Sequence, residues 1–415
     1  MGTVYRARRY DARGCGKLAP FTQPCACWPA TSRIAPENQQ VTGNQAVNDI
    51  TDDPNAAESE FYTLHEIVAK AQKNLPRDQW DYLVGATETE TTLRRNRQSL
   101  DTIAFRPRVC RNVLDVDATS TLLGEKLRIP VLLAPIGSLE SFAPGGGATS
   151  GQAAEEFDIV HMLSSRCGPG LEETAAAANN KRIFQLYVRG DAAFEDDYVK
   201  RAIDNGFYAF AVTVDSAHYS RRERDLANRF AKPWRVSASG MEYQALYTWD
   251  NVKRFKDKHD IPLILKGIAT PEDAALCVEH GVDAVYVSNH GGRQLDHGLG
   301  TTAVLPDVVK AVDGKATVIV DGGYYRGTDI VKAIALGADA VGIGRLQGYG
   351  LAAGGKDGLV RVLQLLEEEM KLAMGLLGVT SLDQLDSSYL QQAPAVNEAH
   401  VSSAFPLADI QQYRY

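Results

Sequence analysis

The sequence predicts a (β/α)8 TIM barrel, an α/β architecture, with a short N-terminal helical cap and a disordered N-terminal extension. Three observations carry this. Eight short apolar runs rich in Val, Ile and Leu recur along residues 129–343. Helical stretches separate most of them, and continuous apolar strands alternating with helices denote a parallel sheet buried on both faces. Eight such units over about 240 residues fit a closed barrel better than an open doubly wound sheet.

Residues 1–57 read as a leader or disordered extension. Residues 1–33 hold Arg6, Arg8, Arg9, Arg13, Lys17 and Arg33 against one acid, Asp11. They lack both the apolar core of a secretory signal and an amphipathic period. In the cap, Leu64, Ile67, Val68, Ala71 and Leu75 fall at helical spacing, Pro76 interrupts, and Trp80, Tyr82 and Leu83 lead into Gly85. Strands are expected at 129–134, 159–163, 183–188, 209–214, 261–265, 284–287, 317–320 and 340–343. Helices are expected at 172–179, 194–205, 271–279, 303–312 and 327–336. The longer interval 214–261 holds Tyr219, Arg221, Arg222, Trp234, Tyr243, Tyr247 and Trp249, and reads as an extended loop over the barrel mouth. An amphipathic helix within 356–392 closes the barrel domain, 58–392, and leaves 393–415 as a C-terminal tail.

At 415 residues, with 44% hydrophobic and 23% charged residues, the chain can bury a large core and is neither fibrous nor largely disordered. No apolar run reaches the roughly 18 residues of a membrane span. A net charge of −8 argues against non-specific nucleic-acid binding. Cys15, Cys25 and Cys27 lie in the leader, Cys110, Cys167 and Cys277 are scattered, and no C-x-x-C pair exists. Neither a disulfide framework nor a metal site follows, and a reducing, cytoplasmic compartment is expected. Organellar import through the Arg-rich leader is the alternative.

In a barrel, polar residues just past the strands meet at the C-terminal mouth, where chemistry takes place. The eight ends present Pro135; Ser164, Ser165 and Arg166; Gln185 and Tyr187; Thr213 and Asp215; Lys266; Ser288, Asn289 and His290; Asp321, Gly322 and Gly323; and Gly344 with Arg345. Any one of these is more often a cap or turn residue; convergence from eight ends reverses that. His290 can exchange a proton near neutral pH, and Asp215 is a candidate to hydrogen-bond its imidazole. Gly291 and Gly292 allow a sharp turn after which Arg293 presents a guanidinium fork to a carboxylate. Gly322, Gly323, Gly344 and Arg345 stand where barrels commonly bind phosphate. Lys266 fits a Schiff-base nucleophile, a phosphate anchor or a cation beside an electron-rich ring.

These residues resemble the FMN-dependent L-2-hydroxy acid oxidase and dehydrogenase family. The matching stretches include Phe184-Gln185-Leu186-Tyr187-Val188, Thr213-Val214-Asp215, Leu265-Lys266-Gly267, Ser288 to Asp296, Asp321-Gly322-Gly323 and Ile343-Gly344-Arg345. The resemblance implies oxidation of a 2-hydroxy acid to a 2-oxo acid on FMN, reoxidised by oxygen or another acceptor, in a homo-oligomer of four or more subunits. It makes His290 the base and Asp215 its partner. Tyr82, Arg222 and Arg293 would hold the substrate carboxylate and Tyr187 its hydroxyl. Lys266 would lie against the flavin. Pro135, Ile136, Gly137, Ser164, Gln185, Thr213, Ser288, Asp321, Gly322, Gly323, Tyr325, Gly344 and Arg345 would surround the cofactor.

Three positions depart from the family pattern. Tyr325 stands where an Arg usually meets the phosphate, leaving Arg326 or a Tyr hydroxyl to substitute. Ile136 and Gly137 replace the commoner Thr and Ala. Arg166 stands where many members carry Trp, Tyr or Leu beside the substrate side chain. There it would favour a second anionic group on the substrate, unless it turns outward or pairs with Glu140 or Glu242. Two other readings compete: a phosphate-binding lyase or isomerase using Lys266 as a Schiff base, and a non-catalytic flavin-binding relative.

Overall fold

The computed structural model describes residues 60–232 and 239–408. The whole leader, 1–57, with Cys15, Cys25 and Cys27, and also Trp234 and residues 409–415, lie outside the described residues.

Eight parallel strands close into a barrel: Val131–Leu133, Val160–Ser164, Lys181–Leu186, Ala209–Thr213, Leu263–Ile268, Ala284–Val287, Thr317–Val320 and Ala340–Ile343. The ring closes where Val341 registers with Val131. Alternation along the strands divides the core in two. Leu132, Val160, Met162, Ile183, Ile264, Tyr286 and Ile319 fill the barrel, whereas Val131, Leu133, Leu163, Phe184 and Leu265 pack outward against the helices. Each such side chain, fully buried, contributes about 1.5–3 kcal/mol. Tyr286 is accommodated by its neighbour: a Cβ on Gly342 would stand 1.9 Å from the Tyr286 hydroxyl.

A hairpin, Ser120–Leu122 with Glu125–Leu127, turns at Leu123 and Gly124, both at positive φ as a tight hairpin turn requires. Its Leu122 and Leu127 join the interior cluster. The cap is two helices, Leu64–Asn74 and Arg77–Val84, the first opened by a reciprocal capping box between Thr63 and Glu66. A third helix, Thr91–Asp101, leads on from the cap.

Two barrel helices were not anticipated. Gly146–Phe157 is built of small residues because it lies so close to the barrel that a Cβ on Gly147 would approach Leu163 to 2.8 Å. The interval read as one extended loop contains the helix Trp249–Lys258, whose Val252 and Phe255 pack into the core. The closing helix also starts earlier than expected, running Arg345–Leu377 with a break at Gly354 and Gly355. Beyond residue 392 one side chain returns to the core: Phe405 is buried, edge-on to Tyr325 and Tyr349.

Candidate active site

After the sixth barrel strand the chain passes through three successive left-handed residues: His290 (φ 59), Gly291 (φ 64) and Gly292 (φ 77). That conformation is strained at His290, and side-chain hydrogen bonds hold the loop. The Gly292 amide donates to Asn289 Oδ1 at 3.0 Å, and the Asn289 and Asn96 amides exchange bonds of 2.7 and 2.9 Å. The loop thereby aims His290 at Asp215, past the end of the fourth strand. His290 Nδ1 donates to Asp215 Oδ1 at 2.9 Å, since a carboxylate only accepts. That tautomer leaves Nε2 as an acceptor for the Tyr187 hydroxyl at 3.1 Å.

The electrostatics suit a resting base. Burial lowers the His290 pKa, Asp215 opposes it, and Lys266 and Arg222 lower it again; the result lies below the ordinary imidazole value. Burial works against ionisation of Asp215, but the His290 charge, their hydrogen bond and Lys266 hold its pKa below the usual carboxylate value. Burial, reinforced by Asp215, pushes the Tyr187 phenol well up, so it stays a donor.

Lys266 is buried and tied on two sides. Its Nζ donates to Ser288 Oγ at 2.8 Å and pairs with Asp321 at 3.2 Å, while Ser288 donates to Asp321 at 2.6 Å. This is the setting of a fixed cation, not of a free amine nucleophile, and it counts against the Schiff-base reading.

A cavity of about 1150 Å³, its open mouth included, lies over this cluster. Tyr82, Pro135, Ile136, Gly137, Arg166, Tyr187, Arg222, Lys266, His290, Arg293, Asp321, Gly322, Gly323, Tyr325, Gly344 and Arg345 line it. Asp215, Ser164, Gln185, Thr213 and Ser288 do not reach that wall. They form the layer beneath, where Ser164 registers with Gln185 and Thr213 with Lys266. The Tyr82 hydroxyl donates to the Gly137 carbonyl at 3.1 Å. Arg293 and Arg345, expected to aim at ligands, also serve the cap. Arg293 donates to the Tyr82 and Gly85 carbonyls at 2.8 and 2.7 Å, and Arg345 to Val84 and Gly85 at 3.2 and 2.8 Å. A helix C-terminus offers orphan carbonyls and a negative dipole end, which draws both guanidinium groups. Burial, with the charge of Arg222, brings Arg293 down to about 10.

At the glycine end, Gly322 (φ 103) and Gly323 (φ 91) take a backbone shape that side chains disfavour. Arg97, which sequence reasoning missed, holds this loop: it donates to the Gly323 carbonyl at 3.0 Å and pairs bidentately with buried Asp329 at 2.7 and 2.8 Å. Arg326 is engaged elsewhere, in an ion pair with Glu369. The Tyr325 hydroxyl is buried with no partner among the described residues.

The site suits FMN on this geometry. Both amide atoms of Gln185 and the Thr213 hydroxyl are buried without partners among the described residues, a condition that native proteins avoid unless a ligand or water completes them. A Cβ on Gly344 would meet nothing within 4 Å, so open space adjoins the last strand end as a phosphate would need.

A parallel barrel with a Tyr–His–Asp line and a glycine cradle at its C-terminal mouth defines a cofactor-binding oxidoreductase barrel. The family model described as FMN-dependent dehydrogenase matches residues 71–392. Glycolate oxidase 1 of Zea mays is 36% identical over 369 residues, covering 84% of this chain and 99% of that protein. Glycolate oxidase of Spinacia oleracea is 36% identical, over 80% of this chain and 96% of its own. A crystal structure of mandelate oxidase with benzoyl-formic acid superposes with a TM-score of 0.75 at 36% identity, covering 81% of this chain and all of that one. The chain belongs to the FMN-dependent dehydrogenase family. Among the described residues, no helix is long and apolar enough to cross a membrane.

Proposed function

We propose that this protein oxidises an L-2-hydroxy acid to the 2-oxo acid and passes the electrons to oxygen. The observation that carries the mechanism is the Tyr187–His290–Asp215 line at the foot of a cavity walled by Arg222 and Arg293. Bound FMN would supply the two-electron acceptor. Gln185, Thr213, Ser164 and Ser288 would meet its ring, and Gly322, Gly323, Gly344 and Arg345 its phosphate. Pro135, Ile136 and Gly137 would lie along it.

Oxidation removes two electrons and two protons from the substrate. Arg222 and Arg293, with Tyr82, grip the carboxylate, and Tyr187 orients the hydroxyl toward His290. The neutral Nε2 takes one proton, and Asp215 stabilises the imidazolium that results, while the second proton and both electrons would pass to FMN. Lys266, fixed by Asp321 and Ser288, places positive charge where electron density arrives. Oxygen as acceptor rests on the oxidase names of the relatives.

The test is an anaerobic titration of the purified, flavin-loaded protein with L-lactate, glycolate and L-mandelate. The visible flavin band bleaches with at least one acid, returns in air with peroxide formation, and does neither in His290→Ala. A protein that neither carries nor takes up flavin overturns the reading. A homo-oligomer of four or more subunits follows from the family resemblance and is checked by light scattering. Cytoplasmic residence rests on the free Cys110, Cys167 and Cys277. One relative, a (S)-2-hydroxyacid oxidase of Arabidopsis thaliana, is named peroxisomal, and imaging of the tagged full chain decides.

A further inference from the structure

Of the described residues 400–408, Phe405 alone is buried, at 2% exposure. Short turns shape the chain around it: the Phe405 amide donates to the Ser402 carbonyl at 2.8 Å, and the Ala408 amide to the Phe405 carbonyl at 3.1 Å. The ring enters a column of aromatic side chains that joins four parts of the fold. Trp80 of the cap lies 5.6 Å from Tyr349 of the closing helix, and Tyr349 lies 6.4 Å from Tyr325 with their planes 29° apart. Phe405 meets Tyr325 at 5.4 Å and 62°. Offset and edge-on ring pairs at such distances attract. Tyr325, beyond the seventh barrel strand, is thereby held by two rings, one from the closing helix and one from the C-terminal segment.

The next residue grips the same segment. Arg326 Nη1 donates to the Ala404 carbonyl at 3.3 Å while its guanidinium pairs with Glu369, and the Glu369 carboxylate accepts from the Gly327 amide at 2.7 Å. Tyr325 also lines the cavity beside Gly322 and Gly323, and its hydroxyl is buried without a partner among the described residues. A guanidinium on a long stem can seek out an anion by itself, whereas a phenol hydroxyl rides on a rigid ring and stands wherever packing puts that ring. The one hydrogen bond it can donate weakens steeply with distance and angle, so the ring has to be fixed.

We propose that Phe405 is a positioning residue for the cofactor: by wedging Tyr325 it holds that hydroxyl at the place of the FMN phosphate, so the C-terminal segment serves cofactor retention. The proposal rests on the placement of the phosphate at the Gly322, Gly323 and Gly344 end. Phe405 stands behind the cavity wall, not in it, and acts through Tyr325. Without the ring edge, Tyr325 could turn about its side-chain bonds and its hydroxyl would leave bonding distance more often.

The experiment loads the full-length protein with FMN or with riboflavin and follows release on dilution by the recovery of flavin fluorescence. Phe405→Ala releases FMN about 3- to 10-fold faster, the scale of one aromatic pair, and leaves riboflavin nearly unchanged because it carries no phosphate. Phe405→Leu keeps the apolar burial but not the ring edge; it shows a smaller effect of the same selectivity and guards against simple unfolding. In a Tyr325→Phe background, Phe405→Ala speeds FMN release little further, since two residues serving one interaction are not additive. Equal acceleration of both flavins in both Phe405 variants, or an effect undiminished in Tyr325→Phe, overturns the proposal. Tyr325→Phe alone tests the premise. An FMN-selective effect there, without one in the Phe405 variants, defeats the proposal only. No effect there, or an equal effect on both flavins, removes the hydroxyl from the phosphate and defeats proposal and premise together.

Discussion

Arg97→Ala tests whether the glycine cradle is built by a helix outside the barrel repeat. Arg97 makes two bonds to Asp329, of 2.7 and 2.8 Å, and one to the Gly323 carbonyl at 3.0 Å, and it also pairs with Asp101 at 2.7 Å. Its side chain is 5% exposed and that of Asp329 is 2%. Removing the arginine strands a buried carboxylate, which costs about 3–5 kcal/mol. Asp329 also accepts from the Tyr325 and Arg326 amides, so the disturbance reaches the loop itself. Freed from its anchor at Gly323, the loop should lose about 10- to 100-fold in FMN affinity, the scale of a hydrogen bond from a charged donor. Riboflavin, which lacks the phosphate, should lose only a few-fold. Denaturant unfolding of the apoprotein gives the first number, and flavin fluorescence titrations give the second. Adding Asp329→Asn should recover part of the stability by removing the stranded charge. A stability loss under about 1 kcal/mol, or equal weakening of FMN and riboflavin, would refute the reasoning.

Asp215→Asn removes the charge that stabilises the His290 imidazolium; kcat should fall by about 10³- to 10⁴-fold, as in other His–Asp pairs, while bound flavin is retained. The acid limb of kcat/KM should have its midpoint below about 6.5, because the His290 pKa lies beneath the ordinary imidazole value and the neutral ring is the base. A pH–rate profile with a midpoint above that value contradicts the assignment. His161, fully buried with its pKa lowered to about 3 by burial and Arg182, stays neutral in the fold while the unfolded chain takes up a proton. Stability is therefore intact above pH 6.5 and declines as pH falls toward 3, by about 2 kcal/mol at pH 5; unfolding curves of His161→Leu should show a flatter pH dependence. Tyr325→Phe should weaken FMN several-fold, about 1 kcal/mol, with riboflavin unaffected, if its buried hydroxyl meets the phosphate.

Much of the barrel was legible because its strands are short, largely apolar runs rich in Val, Ile and Leu. Ala284–Val287, Thr317–Val320 and Ala340–Ile343 match their expected bounds, and Pro271–Glu279 is opened by Thr270 and by Pro at the first helical position. The helix Gly146–Phe157 escaped because close approach to the barrel demands glycine and alanine, which carry no apolar period. Of the candidate site, the Tyr187, His290 and Asp215 grouping was readable from strand ends. Arg189, which also lines the cavity, was overlooked although it stands two residues beyond Tyr187, where the same strand-end rule applies. Asn96 and Arg97 gave no apolar signal. The buried stripe Thr92, Leu93, Asn96, Arg97 and Leu100 has helical spacing, but three of its five members are polar. Hydrophobic periodicity does not register a face whose burial depends on hydrogen bonds.

That polar stripe bears on how the site works. Asn96 bonds Asn289 and accepts from the Thr301 amide at 3.1 Å, so it fixes the loop that carries His290. Arg97, the next residue, fixes Gly323 and, through Asp329, the loop that would carry the phosphate. The Thr92 amide donates to Asp296 at 2.8 Å and ties down the far end of the histidine loop. One rigid helix thus spans two loops that issue from different strands. Chemistry on a bound ring requires the base to stand at a set distance from that ring, and an error of an ångström there costs orders of magnitude in rate. Strand register alone does not set this distance, because His290 and Gly323 both lie beyond the last paired residues of their strands. Consecutive residues on a helix are related by a fixed rise of about 1.5 Å and a fixed turn of about 100°, so Asn96 and Arg97 convert helix geometry into the spacing between base and cofactor.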